Sequence, residues 1–374
     1  MIRKNRADGI INLRILRYNI TMRLTDRKIT ADIFICRNFN VKFSKRMRKA
    51  IILALIIGGT LTARSQEANS VFNFLKIPMS AHVAALGGDN VSLKLDDPTL
   101  VFSNPAQAAA VNDNSLNLDY QSYVGDTKIL GAAFVKVFSV RHTVALTAQM
   151  FDYDDMDETD EDGNILGTFS AKDVAISALY SYTMGERWVG GATGRFITSK
   201  YADYSSTALS VDLGAHYADD DKGFSFGAVL KNIGAQISSF DEDRKEHLPF
   251  DFQIGVTQKL SHAPFRFSLT LKDLTRWSND YYFNPEGKSS IGRKLSNHVV
   301  VGVDFIPLDN VYVAAGYNFR RANELKAAGS SHGAGLSLGA GIETNRIKAG
   351  VSWAKYHVDA SSILFNLSYS FGRQ

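Results

Sequence analysis

The chain has 374 residues, 45% of them hydrophobic, a formal net charge of +4 and a single cysteine, Cys36. One thiol cannot staple a fold, so stability has to come from burial or from pairing of the backbone. The positive balance is confined to the first 65 residues, which hold fifteen basic and three acidic side chains; the rest holds 27 basic and 35 acidic, a net of −8, which excludes a nucleic-acid surface as the default.

Residues 1–46 carry twelve Lys/Arg against three acids and show no sustained apolar period, and read as a mis-assigned upstream extension. At 47–65, "MRKAIILALIIGGTLTARS", Arg48 and Lys49 precede an apolar run at Ala50–Leu61, with small residues at Ala63 and Ser65. This is the layout of a secretory signal peptide, too short and too soon polar to be a spanning helix. The exported chain is expected to begin near Gln66.

The stretch 85–106, "ALGGDNVSLKLDDPTLVFSNPA", has the glycines of a phosphate loop and two adjacent carboxylates. The glycines do not open a helix, so a phosphate would find no helix N-terminus, and Asp96–Asp97 before Pro98 read as a turn without partner ligands nearby.

From residue 115 onward the signal is alternation. In "SILFNLSYSF" (362–371), Ile363, Phe365, Leu367, Tyr369 and Phe371 share one face, and polar or small residues take most of the other. Fourteen such segments are predicted: 115–123, 128–138, 142–151, 168–183, 188–199, 206–217, 223–231, 250–260, 264–273, 297–305, 310–320, 333–342, 346–356 and 361–371. Most run nine to twelve residues, longer than a common soluble strand of roughly five or six and suited to a tilted crossing of a bilayer. Alternate links are long (152–167, 232–249, 275–296, 321–332), with shorter ones at 124–127, 200–205 and 357–360, and the intervening links are tight (139–141, 184–187, 218–222, 261–263, 306–309, 343–345), which sorts long loops to one end of an up-and-down barrel and short turns to the other. The expected fold is an all-β transmembrane protein, a closed antiparallel outer-membrane barrel of about fourteen strands over 111–374, with both termini on the turn side, in the periplasm.

In that barrel the apolar faces meet lipid, and the lumen receives Arg195, Asp212, His216, Arg266, Lys272, Asp304 and Arg320. Aromatics near strand ends, among them Tyr123, Trp188, Tyr217, Trp277, Tyr281, Tyr282 and Tyr369, are expected as interfacial girdles. The acidic run "DYDDMDETDEDGN" (152–164) approaches calcium-loop spacing, but Phe169 stands where the bidentate glutamate belongs, so an exposed partner-facing loop is preferred to a structural calcium site. Neither a Ser-His-Asp arrangement, nor H-E-x-x-H, nor a Walker pattern occurs, and no cofactor or enzymatic activity is expected.

The segment 72–106, with Ala84, Gly87, Gly88, Asp96, Asp97, Asn104, Pro105 and Ala106, resembles the N-terminal signature of the FadL-like outer-membrane transporter superfamily. Within it, "FLKIPMSAHVAALGG" and "DDPTLVFSNPA" look most like the PorV/PorQ branch, barrels of the type IX secretion system of Bacteroidetes. The resemblance implies a non-enzymatic outer-membrane component that anchors a PorZ-like surface protein of the cargo attachment complex. Candidate partner-binding residues are then Asp155, Asp157, Asp160, Trp277, Tyr281 and Tyr282 in the long loops. The alternative within the superfamily is a transporter of hydrophobic small molecules. Residues 66–110 suit a plug, because fourteen strands enclose a lumen wider than their own side chains fill.

Overall fold

The computed structural model describes residues 20–24, 27–31 and 70–371, apart from 161, 163, 241–244, 279–281, 284–289, 330–331 and 359. The signal peptide, most of the upstream extension, Gly163 and Tyr281 lie outside the described residues. The chain divides into two units, Met1–Thr62 and Ala63–Gln374. In the first, β1 (Ile20–Leu24) and β2 (Arg27–Ala31) form an antiparallel pair.

The second unit is a closed barrel of fourteen strands, each antiparallel to its chain neighbours. They are β3 (Ser115–Ser122), β4 (Lys128–Ser139), β5 (His142–Thr159), β6 (Ile165–Thr183), β7 (Trp188–Tyr201), β8 (Tyr204–Asp219) and β9 (Phe224–Ser238). Then come β10 (Asp251–Lys259), β11 (Phe265–Leu271), β12 (Val299–Leu308), β13 (Val311–Asn318), β14 (Leu336–Glu343), β15 (Ile347–Lys355) and β16 (Ser361–Ser370). Pairing of β16 with β3, from Ser370 opposite Ser115 to Ile363 opposite Ser122, closes the ring. Every predicted strand is present. Closure leaves no open edge for lipid to meet.

The burial pattern is inverted relative to a water-soluble domain. Leu146, Leu209, Phe267 and Leu367 are exposed on the outer face, whereas Asp212, Asp304, Ser177 and Gln253 are buried on the inner one. An apolar exterior over all fourteen strands is what hydrocarbon requires. No helix among the described residues is long and apolar enough to cross a membrane.

Three differences from the expected elements matter. The 152–167 link is not a loop: β5 continues through Asp155, Asp157 and Glu158, and pairs with β6 as far as Thr159 opposite Ile165. Pairing of β4 with β5 ends at Lys128 opposite Asp152, and that of β6 with β7 begins at Ala171 opposite Tyr201, so this hairpin projects beyond its neighbours. Alternating acids on both faces hid the strand, because there was no apolar face to register. The long links also carry helices, α2 (Ile291–Ser296) and α3 (Phe319–Ala327). Arg320, expected on a strand, therefore stands in the first turn of α3, which Asn318 caps by accepting from the Arg321 amide. Lastly, β9 runs to Ser238 and the 200–205 link shrinks to residues 202–203.

The segment from Ser70 to Asn112 packs inside the barrel. It holds one short helix, α1 (Ala81–Ala85), and 3-10 turns at Asn73–Lys76, Pro98–Phe102 and Pro105–Ala110. Ser70 and Val71 pair with His247 in the long 239–250 link, and Phe72 and Phe74 pack with Phe151, Ile197 and Leu248 at the same end. At the other end Lys94 meets Asp220, and Asp113, just past the segment, meets Lys136, both partners beside tight turns. The segment therefore enters at the loop end and leaves at the turn end. The sequence predicts both the N-terminal segment and the C-terminus at the turn end; Ser370 lies there, but Ser70 does not.

Candidate functional site

The candidate site is the interface between this luminal segment and the inner barrel wall. Its geometry starts from small residues. A methyl group on Gly227 would overlap the Val91 carbonyl oxygen, and one on Gly316 would overlap the backbone at Leu86–Gly87, so glycine on the strands lets the segment's main chain lie against the sheet. Gly87 and Gly88 follow α1 with φ of 107° and 96°, and the Gly88 amide donates to the Val83 carbonyl (2.9 Å), which ends the helix in the manner glycine permits.

The family-signature residues act as caps and clamps. Asn104 accepts from the Ala106 amide (3.0 Å) ahead of Pro105, while its Nδ2 donates to the carbonyls of Val91 (2.9 Å) and Ala215 (3.2 Å). Asp97 accepts from the Thr99 amide (2.9 Å) and so caps the next 3-10 turn. Asp96 does have partners, contrary to expectation: Lys348 Nζ (2.6 Å) and the Asn112 amide (2.7 Å), which tie both ends of the segment's last third to β15. Ala84 is buried against Leu364 of β16.

Of the predicted lumen residues, six turn inward and bind either the segment or one another. Arg266 donates to Asp304 (2.7 Å), whose second oxygen meets His82 Nε2 (2.7 Å). Lys272 meets Asp89 (2.6 Å), and His216 Nε2 donates to the Ser92 carbonyl (2.9 Å). Arg195 bonds Asp212 (2.7 Å) and Asn232 (2.7 Å). Arg320 instead pairs with Asp273 (3.0 Å) and Glu324 (3.0 Å) above the Tyr282 ring. Sequence reasoning missed His82, Asp89 and Asn366. A lone histidine and a lone aspartate within a run of small residues were the available signals. Asn366 grips the segment from the last strand, accepting from the Ala81 amide and donating to the Met79 carbonyl (3.1 Å).

The loop residues separate. Asp155 and Asp157 are exposed on the projecting hairpin. Asp160 accepts from the amides of Asp162 (3.0 Å) and Asn164 (2.8 Å) and so builds the hairpin's own turn. Trp277 is exposed and packs in a tilted contact on His298 with ring centres 4.0 Å apart. Tyr282 is a correction: it is buried, its hydroxyl bonded to the Arg276 carbonyl (3.1 Å) and to His298, so neither a partner nor a lipid headgroup can reach it. Tyr123 is likewise turned inward, packed on Tyr356. Of the other aromatics expected as girdles, Trp188 packs against Tyr217 and Tyr369 against Phe371.

A cavity of about 30 Å³ remains between the segment and the wall, bordered by Asn90, Ser103, Gln149, Arg195, Lys231 and Gln253. No family model and no curated protein matches the sequence. Solved structures do share its fold. The toluene transporter TodX of Pseudomonas putida matches at a TM-score of 0.50 with 11% identity, over 78% of this chain and 98% of that one. The toluene transporter TbuX of Ralstonia pickettii matches at 0.50 with 11% identity, over 81% and 100%, and the monoaromatic hydrocarbon channel CymD at 0.50 with 13%, over 81% and 99%. At such identities the likeness is one of fold alone, that of a closed transmembrane β-barrel.

Proposed function

We propose that this chain is a non-enzymatic outer-membrane scaffold whose lumen is sealed by its own N-terminal segment, and whose loop end holds a surface partner of a type IX attachment complex. The observation that carries the reading is the occupied lumen. The segment is fixed to the wall by charged pairs at His82, Asp89 and Asp96, and a cavity beside it measures about 30 Å³. An apolar cavity that takes benzene is about 150 Å³; this one is several-fold smaller, and Lys231, Arg195 and Asp89 put charge on a border that Leu75, Ile77 and Phe102 share. The PorV/PorQ resemblance of residues 72–106 supplies the partner class, a PorZ-like protein. Loops at the end opposite the tight turns face the cell exterior in this reading, and a chain cut near Gln66 starts close to Ser70 at that end.

The test is affinity capture of the intact complex from native outer membranes, with N-terminal sequencing of the barrel. A stoichiometric large surface protein is expected; a lone barrel overturns the reading. Because Asp160 already spends its carboxylate on protein amides, chelation of calcium is expected to leave the capture unchanged.

A second reading, passage of hydrophobic small molecules, draws on the fold shared with TodX, TbuX and CymD, the first two described as toluene transporters and the third as a monoaromatic hydrocarbon channel. It requires the segment to move. Uptake of toluene by liposomes carrying the purified barrel would favour it.

A further inference from the structure

The luminal segment bends at Asn90, which is 1% exposed. Its Oδ1 accepts from the amides of Ser92 (3.0 Å) and Leu93 (3.0 Å) and from the Ser92 hydroxyl (3.4 Å). Those donors fix the amide's orientation, since a flipped amide would aim its own protons at two backbone N–H groups. Nδ2 is left buried on the cavity side without a hydrogen-bond partner. Such a donor costs on the order of 1–3 kcal/mol unless something fills the space beside it.

Lys231 borders the same cavity from β9 and makes neither a hydrogen bond nor an ion pair among the described residues. Three carboxylates lie nearby, and each is engaged elsewhere. Asp89 is held by Lys272 (2.6 Å) and Gln253 Nε2 (3.1 Å). Asp212 is held by Arg195 (2.7 Å) and the Asn232 amide (2.6 Å). Asp251, the cross-strand neighbour of Lys231, accepts from Gln253 Nε2 (2.6 Å) and the Asp273 amide (2.7 Å). Gln253 thus turns its Oε1 away from both aspartates, and that oxygen is buried and unpaired as well.

The Lys231 ammonium, the unpaired Asn90 Nδ2 and the unpaired Gln253 Oε1 therefore border, together with the engaged side chains of Lys76, Asp89 and Arg195, a space of about 30 Å³, room for two water-sized particles at roughly 10–15 Å³ each. We propose that this cavity is a binding site for a small monovalent anion of halide size. Lys231 Nζ and Asn90 Nδ2 hold the anion, and one accompanying water donates to Gln253 Oε1. Size excludes larger carboxylates, and the surrounding aspartates, already satisfied, confine the anion to the lysine side. The inference is independent of the partner proposed above.

The test uses the full exported chain, purified in detergent. Bromide is titrated against gluconate at constant ionic strength, and crystals grown in bromide are searched for anomalous scattering. The expected result is a saturable rise of the unfolding midpoint with bromide and an anomalous peak beside Lys231. Asn90→Asp keeps the oxygen that builds the turn and removes the donor; Lys231→Met removes the charge. Each is expected to weaken bromide binding by about tenfold or more, the loss of one charge-assisted hydrogen bond. Should Lys231→Met fail to fold, Asn90→Asp decides alone. Water instead of bromide in the cavity, or a bromide response identical in Asn90→Asp and the parent chain, overturns the proposal.

Discussion

His82 Nε2 stands 2.7 Å from Asp304 Oδ1, and the other oxygen of the same carboxylate accepts from Arg266 Nε at 2.7 Å. One strand carboxylate is thus shared between a wall arginine and a histidine of the luminal segment, whose ring stacks 3.7 Å above Tyr312. Burial alone would lower the His82 pKa. The Asp304 charge and hydrogen bond, with help from Glu343 and against Arg266, instead raise it from 6.5 to about 9.

A base with a raised folded pKa contributes stability that is complete below its unfolded value and is lost as pH climbs through the folded one. Resistance to urea, followed by the heat-modifiable gel shift, is therefore expected to be level below about pH 6.5 and to fall by about 3 kcal/mol by pH 9. His82→Gln should flatten that profile. A parent chain whose midpoint does not move between those values would remove His82 as a charged anchor.

Gly227→Ala and Gly316→Ala each place a methyl group where the segment's backbone lies. A loss of about 1–3 kcal/mol is expected, with faster proteolysis inside 70–112. Gly194→Ala, which meets nothing within 4 Å, is the matched control and should be near neutral. Equal behaviour of all three would mean that the segment does not touch the wall.

Asn104→Ala removes a cap and strips two buried carbonyls of their donor. The expected cost is about 2–5 kcal/mol in urea unfolding, well above that of an isolated cap. A cost under about 1 kcal/mol would mean that water replaces the side chain.

Leu209, exposed near the middle of β8, faces the apolar exterior. Leu209→Arg is expected to cost about 2–4 kcal/mol in lipid, and Ser205→Arg at the loop end of the same strand about 0–1. Refolding into vesicles measures both, and equal costs would contradict a hydrocarbon-facing wall.

Exchanging residues 156–169 for Asn-Gly shortens the projecting hairpin to the Asp155–Ser170 pair. The excised part pairs only with itself. The gel shift is expected to survive and capture of the surface partner to be lost. Retained capture would move the contact to the link bearing Trp277.

The strands were legible because a sheet with lipid on one side leaves a period-two record in the sequence, as in 362–371. That record stops where lipid stops, so the extension of β5 past Asp152 was invisible. The candidate site was legible only by half. Inward polar positions such as Arg266 and Asp304 follow from alternation, but their partner His82 lies 222 residues from Asp304 and carries no periodic mark. Tyr282 failed for a related reason: an aromatic in a long link can serve a membrane interface or cap a buried histidine, and only tertiary contact with His298 distinguishes them.

The seam that closes the barrel joins β16 to β3, the strand directly after the luminal segment, and Asn366 of β16 grips that segment at Met79 and Ala81. Without the segment, Asn366 would lose Met79 and Ala81, Arg266 would lose His82, and Lys272 would lose Asp89. The last strand of the ring thus holds at once the first strand and the segment that the ring encloses, so a change at Asn366 bears on the seam and on the lumen together.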